Sequence, residues 1–168
     1  MVAVENIDIA CGVIFQKMGI YKDPFDDEFI CQKKIYLLES LGTDLGYTYI
    51  WYVRGPYSPS LANYLYNNLE NLRAKVFSHY SLSESAGKNV ERVNSLSEAK
   101  KQDMSVESWY ELLASLVYIY NNKQSWKIDD KKESLFDILI KYKPQYNMEQ
   151  CQYSYDILCD QEFIGVLF

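Results

Sequence analysis

The sequence predicts a mainly α protein with a small β component, built from a winged-helix-like N-terminal half and a helical C-terminal half. Apolar residues recur at helical spacing through most of the chain. One run, 47–53, is instead rich in β-branched and aromatic residues and has the length of a strand. No linker-like stretch, repeat or low-complexity segment interrupts the chain. We therefore expect one domain over 1–168, with the winged-helix-like half at 1–82 and the helical half at 103–168.

Two helices are predicted before the strand. The first covers residues 6–18, and the second runs to Leu41 from an aspartate cap, Asp26 or Asp27. In both segments apolar residues recur at helical spacing, and a glycine follows as a natural stop.

A strand and a turn follow these helices. Residues 47–53 are predicted to form the strand, and the glycine and prolines of 55–59 are typical of a turn. Ser58 is a good N-cap, and Pro59 suits the first helical position, where no amide hydrogen is needed. The next helix is therefore expected to run from there to about Asn71.

The stretch 72–102 is the hardest to interpret. Residues 75–82 are compatible with a short strand. Residues 83–101 are polar with few apolar anchors, so they fit either a surface helix or an ordered loop. These alternatives stay open at the level of sequence.

Three helices are predicted in the second half. Ser105 caps the first, whose broad apolar face predicts the central helix of the core. The second begins at Asp129 or Asp130, and the third covers 147–159. The last six residues, 163–168, are too apolar for a free end and are expected to pack onto the protein.

Charge and composition bear on the kind of partner. The net charge is −6, and only three residues are arginine. Such a chain lacks the concentrated basic face that duplex DNA attracts, so a nucleic acid is the less favoured partner. Aromatic residues make up 15 % of the chain, and tyrosine suits half-buried surfaces and interfaces. No apolar run reaches the roughly 20 residues of a membrane span, so no membrane partner is expected.

The sequence contains no recognisable catalytic or metal-binding motif. It has one histidine and four cysteines, with no C-x-x-C pair, which leaves little for a zinc site. A phosphate-binding loop, a nucleophile elbow and an H-E-x-x-H motif are all missing. We therefore predict no catalytic residues, no metal, no cofactor and no enzymatic activity. The cysteines are expected to be free thiols, mostly buried, in a cytoplasmic protein without a signal peptide.

The candidate binding face is centred on the block 55–58, which reads G-P-Y-S. Arg54 and Tyr57 are expected beside the N-terminus of the following helix, where a carboxylate or phosphate is favoured. A structural turn with an N-cap accounts for the same residues, so both interpretations stay open. The predicted binding residues are Lys33, Tyr36, Tyr52, Arg54, Gly55, Pro56, Tyr57 and Ser58.

Four stretches carry a resemblance to a known family. They are a K-x-x-Y-x-L motif beginning at Lys33, the block 55–58, and two weaker stretches at 109–118 and 143–146. In this order they resemble the bacterial YwgA-like family. Its G-P-Y block is similar to that of the toxin-binding C-terminal domain of macrodomain antitoxins, and more distantly to Panacea antitoxin-like domains. The resemblance implies a winged-helix-like fold, no established catalytic residues and a setting in bacterial or phage conflict systems.

These observations predict a non-catalytic macromolecule-binding or regulatory protein. The favoured function is an antitoxin-like or defence or counter-defence component that binds a protein, with a toxin or a nucleic-acid enzyme as the candidate partner. A winged-helix DNA-binding transcriptional regulator is the alternative, and salt-dependent retention on DNA would distinguish it. The sequence does not determine the oligomeric state.

Overall fold

The computed structural model of the protein describes residues 4–20, 26–74 and 76–167, with side chains from residue 8 in the first helix and from residue 28 in the second. Within these residues the fold is mainly helical, with a single two-stranded antiparallel sheet. The predicted class, mainly α with a small β component, is confirmed.

The sheet lies between the second and third helices in chain order, and each predicted helix is found close to its expected ends. The elements are α1 Val4–Lys17, α2 Asp26–Ser40, β1 Ile50–Tyr52, β2 Gly55–Tyr57, α3 Pro59–Arg73, α4 Glu84–Ser95, α5 Val106–Asn121, α6 Lys123–Trp126, α7 Lys132–Tyr142 and α8 Met148–Asp160.

Residues Gly55–Tyr57 of the G-P-Y-S block form a strand rather than the predicted turn, whereas Ser58 is the N-cap of α3 and Pro59 its first residue, as predicted. β1 is shorter than the predicted 47–53 and pairs antiparallel with β2, so that Tyr52 faces Gly55. The chain therefore reverses at Val53 and Arg54, one step earlier than predicted. The prediction was wrong because proline favours turns in sequence, whereas an edge strand such as β2 tolerates Pro56.

The part of the chain that was hard to interpret forms a helix and turns. No strand is found among residues 76–82, and residues 76–79 form turns. α4 occupies the stretch left open between helix and loop, and the Ser83 hydroxyl accepts the Ala86 amide at 3.3 Å. A side chain of α5 holds the C-terminal end of α4, since the Trp109 indole donates to the Leu96 carbonyl at 2.8 Å.

α5 is the central helix, as predicted. Every residue from Trp109 to Val117 is buried, and the helix contacts α2, α7, α8 and β2. The predicted cap is confirmed, because the Ser105 hydroxyl accepts the Ser108 amide at 3.1 Å. One hydrophobic cluster joins both predicted halves, including Phe15 from the first and Leu158 from the second.

The start of α7 differs in detail from the prediction. Lys131 occupies the N-cap position without a side-chain hydrogen bond. Asp129 accepts the Lys131 amide at 3.1 Å and the Ser134 hydroxyl at 2.6 Å, so it closes the turn ahead of the helix. The short helix α6 was not predicted. The predicted caps of α2, Asp26 and Asp27, have side chains outside the described residues.

The remaining predictions concern the tail, the cysteines and the membrane. Phe163, Ile164 and Leu167 are buried, so the tail packs onto the protein as predicted up to the last described residue. None of the four cysteines forms a disulfide within the described residues, and Cys159 is the one that is only partly buried. No helix in the described part of the chain is long and apolar enough to cross a membrane.

Candidate functional site

A cavity of about 340 Å³ lies between the start of α2 and the β1–β2 hairpin. We call it the hairpin pocket. Most of the predicted binding residues meet there, although they come from two segments of the chain. Its lining residues are Glu28, Phe29, Gln32, Lys33, Tyr52, Val53, Arg54, Gly55 and Tyr57.

Three predicted binding residues lie outside the pocket lining. Pro56 and Ser58 are buried, where their backbone groups anchor the hairpin to α2. Tyr36 points into an aromatic cluster instead, with its ring centroid 5.0 Å from that of Tyr49 and 5.8 Å from that of Tyr118. Tyr36 therefore supports the core beside β1 and does not line the hairpin pocket.

Two adjacent side chains of α2 hold β2 in place. The Gln32 amide donates to the Ser58 carbonyl and accepts the Ser58 amide, both at 2.8 Å. Lys33 Nζ donates to the Pro56 carbonyl at 2.7 Å. These bonds are buried, so they satisfy backbone groups that water does not reach. They position the strand that forms one wall of the hairpin pocket.

A buried ion-pair network fixes the turn of the hairpin. The Glu111 carboxylate accepts from Lys143 Nζ at 2.8 Å through Oε1 and from Arg54 Nε at 3.0 Å through Oε2. Lys143 Nζ also donates to the Val53 carbonyl at 3.0 Å. The side chains of Glu111 and Lys143 are only 3 % and 1 % exposed, whereas that of Arg54 is 53 % exposed. The turn is thus tied to α5 and to the end of α7.

Neither Glu111 nor Lys143 was predicted as part of the site. A signal for Glu111 exists in the sequence, because it is the single charged residue in the buried run 109–117. A lone carboxylate on the apolar side of a core helix requires a buried partner. The sequence does not say which cation supplies it.

Aromatic rings form the walls of the hairpin pocket. The guanidinium carbon of Arg54 lies 3.7 Å from the centroid of the Phe29 ring, and Lys33 Nζ lies 5.0 Å from the same centroid. The rings of Tyr52 and Tyr57 pack together with centroids 5.5 Å apart. Cations over a ring face are stabilised by its quadrupole, which helps to hold Arg54 and Lys33 beside the pocket.

Lys33 is the most perturbed cation of the site. Burial lowers its pKa to about 7, Glu111 opposes this shift, and Lys143 and Arg54 add to it. Among the described residues, no carboxylate forms a salt bridge with Lys33, although its side chain is almost fully buried. The site therefore contains a lysine that changes charge near neutral pH.

This lysine should make stability depend on pH. Its pKa is about 7 in the folded protein and near 10.5 in the absence of burial, so the unfolded chain binds the proton more tightly. Stability then rises with pH between these two values. We expect Lys33→Met to remove about 1 kcal/mol per pH unit of that rise between about pH 7.5 and 8.5. Denaturant unfolding of both proteins across this range measures the difference.

The comparison of the two proteins isolates Lys33, because other groups titrate equally in both. The charged groups that face it are Glu28 on α2, Glu111 on α5, Arg54 in the hairpin turn and Lys143 after α7. A stability difference that stays constant with pH would mean that Lys33 has an ordinary pKa.

Metal-binding side chains are not clustered in the described part of the chain. Among the described residues, no three side chains of His, Cys, Asp or Glu are grouped so that they could hold a metal ion.

No known protein resembles the chain in the comparisons. No family model matches the chain, and no curated protein or solved structure is significantly similar to it. The resemblance to the YwgA-like family therefore stays a prediction that rests on its motifs.

Proposed function

We propose that the protein is a non-catalytic binding module that recognises another protein with its hairpin, and that it acts as an antitoxin-like or defence or counter-defence component. The observation that carries this proposal is the exposed hairpin tip. Tyr52 and Val53 are 57 % and 78 % exposed, and they border the hairpin pocket. Exposed apolar and aromatic side chains beside a pocket are typical of a protein-binding surface.

The anchoring of this tip supports the proposal. The turn is held from below by the bond from Lys143 to the Val53 carbonyl and by the ion pair between Arg54 and Glu111. A surface that is already ordered loses less conformational entropy on binding than a free loop does. The buried network thus holds the backbone of the turn in an ordered conformation before a partner binds.

The finer description of the fold belongs to the same proposal. We infer that the first half is winged-helix-like, with the β1–β2 hairpin as its wing between α2 and α3. The order of elements supports this inference. A DNA-binding regulator is the less favoured function, because the chain carries a net charge of −6 and the tip presents a single arginine, Arg54.

The proposal predicts that a negative charge at the hairpin tip weakens partner binding. Tagged protein is recovered from cells of the encoding organism, with and without nuclease, and bound proteins are identified by mass spectrometry. We expect a stoichiometric, nuclease-resistant protein partner whose recovery falls at least about tenfold with Val53→Asp, because a carboxylate would be desolvated in an apolar contact. Tyr66→Ala is the matched control, since Tyr66 is exposed on α3.

The outcomes separate the candidate functions. Partner recovery that is the same with Val53→Asp as with Tyr66→Ala would contradict an interface at the hairpin tip. Recovery of nucleic acid alone, lost with nuclease and at raised salt, would favour the DNA-binding regulator. Thermal unfolding of each variant shows whether a loss of binding reflects a loss of folding.

A further inference from the structure

We propose that the hairpin pocket is a carboxylate-binding subsite in which Lys33 and Arg54 receive an acidic side chain, aspartate or glutamate, of the protein partner. The inference rests on the proposed function, because it names the chemistry that the same surface recognises. It is carried by the unbalanced charge of the pocket, by the apolar walls around that charge and by the position of Lys33.

Lys33 is a buried lysine whose hydrogen bond within the described residues goes to an uncharged backbone carbonyl. An ammonium has three donors, and within the described residues one of them reaches the Pro56 carbonyl. The residue is 2 % exposed but lines the hairpin pocket. A buried charge without a counter-charge is costly, so an anion entering the pocket would be stabilised by Lys33.

The charges around the pocket specify the charge of the ligand. Three cations, Lys33, Arg54 and Lys143, face two carboxylates, Glu111 and Glu28. Glu111 is already bound to Arg54 and Lys143, and Glu28 stands in the pocket wall. When Lys33 is protonated, one positive charge is therefore left without a partner among the described residues. A monoanionic carboxylate balances it, whereas a phosphate dianion would be repelled by the two glutamates.

The walls specify how the carboxylate arrives. Phe29, Tyr52, Val53 and Tyr57 present mostly apolar surface around the cation. A glutamate or aspartate side chain brings its charge on a short hydrocarbon stem, which such walls can cover. Arg54 uses Nε for Glu111, which leaves its terminal nitrogens for a second acceptor. The ligand carboxylate would thus lie between Lys33 and Arg54.

The experiment uses a matched pair of small probes on the full chain. The N-acetyl, N-methylamide derivative of glutamate carries a side-chain carboxylate, and the glutamine derivative is its neutral isostere. We expect the glutamate probe to shift the backbone amide resonances of Tyr52, Val53 and Gly55 with a Kd of about the millimolar range. The glutamine probe should bind at least about tenfold more weakly. Equal binding of the two probes would refute the subsite.

Two variants and a pH series confirm the position of the ligand. Lys33→Met should weaken the glutamate probe at least about tenfold, and Arg54→Gln, at a half-exposed position, serves if the first variant does not fold. Binding should also tighten from about pH 8.5 to 6.5, because an anion favours protonated Lys33 over the neutral form present at high pH. Unchanged affinity in the folded variant, or affinity independent of pH, would overturn the assignment.

Further probes identify the chemical source of the anion, and two outcomes distinguish a failure of the subsite from a failure of the proposed function. Tighter binding of N-acetyl-alanine would assign the pocket to a chain terminus, and tighter binding of inorganic phosphate would assign it to a phosphate group, so either would overturn the proposal. If no probe binds while a partner still depends on Val53, the subsite fails and the proposed function stands. If the glutamate probe binds but no partner depends on Val53, the proposed function fails and the subsite stands.

Discussion

Replacing Glu111 with glutamine is expected to lower the free energy of unfolding by about 3 kcal/mol or more. The change leaves two cations without their carboxylate, and the larger cost falls on Lys143, whose side chain is 1 % exposed. Arg54 is 53 % exposed and can be solvated, so it adds less. Denaturant unfolding measures the loss, and the hairpin amide resonances should shift as the turn loosens.

The control is Glu98→Gln, which removes an exposed carboxylate and should change stability by less than about 0.5 kcal/mol. A double variant, Glu111→Gln with Lys143→Met, removes the carboxylate and the cation together. It should lose less than the sum of the two single variants, because each single variant leaves a buried charge of the pair without its partner and the double variant leaves neither charge. If Glu111→Gln cost less than about 1 kcal/mol, Lys143 would have to find another acceptor or water.

Gly55→Ala is expected to lower the free energy of unfolding by about 2–3 kcal/mol. Gly55 has φ of +94°, which an alanine adopts only with strain of about 1–2 kcal/mol. A Cβ at this position would also lie 2.6 Å from the Ser115 hydroxyl oxygen, closer than van der Waals contact allows. The clash arises because β2 packs directly against α5, whereas the strain arises from the positive φ that Gly55 adopts directly after the hairpin turn.

A second background divides this loss into its two parts. In Ser115→Ala the hydroxyl is gone, so Gly55→Ala should then cost only the backbone strain, about 1–2 kcal/mol. Ser115→Ala alone should be neutral or slightly stabilising, since its hydroxyl is buried and finds no partner among the described residues. Gly87→Ala in α4 is the matched control and should stabilise by up to about 1 kcal/mol, because nothing lies within 4 Å of the added Cβ. Equal effects at Gly55 and Gly87 would contradict the role assigned to Gly55.

Local interactions explain why the helices were predicted so closely. Ser105 accepts an amide three residues ahead, and Asn147 forms a reciprocal capping box with Gln150. Such bonds join residues that are close in sequence, so their pattern is visible without a structure. The apolar face of α5 was visible for the same reason, because a helix repeats every 3.6 residues.

Elements that depend on contacts between residues far apart in sequence were predicted less accurately than the helices with local caps. α4 is polar, but its far end is held by hydrogen bonds from Trp109 and Tyr110 of α5 to the carbonyls of Leu96 and Val93. β2 contains a proline and is short, and its position is held from α2, where Lys33 binds the Pro56 carbonyl and Gln32 binds the backbone of Ser58 directly after the strand. The local sequence does not predict either arrangement, because helix and strand propensities are weak signals that tertiary contacts override.

By itself, the sequence determined the fold class and the positions of most helices, and it predicted a binding face in the region from Tyr52 to Ser58. Lys33 was placed beside that region from the sequence, and the structure shows that it reaches the Pro56 carbonyl. Only the tertiary structure decided that Glu111 and Lys143 support the same hairpin, although 32 positions separate them. The physical reason is that a buried charge selects its partner by proximity in space, and spacing along the chain does not encode that distance.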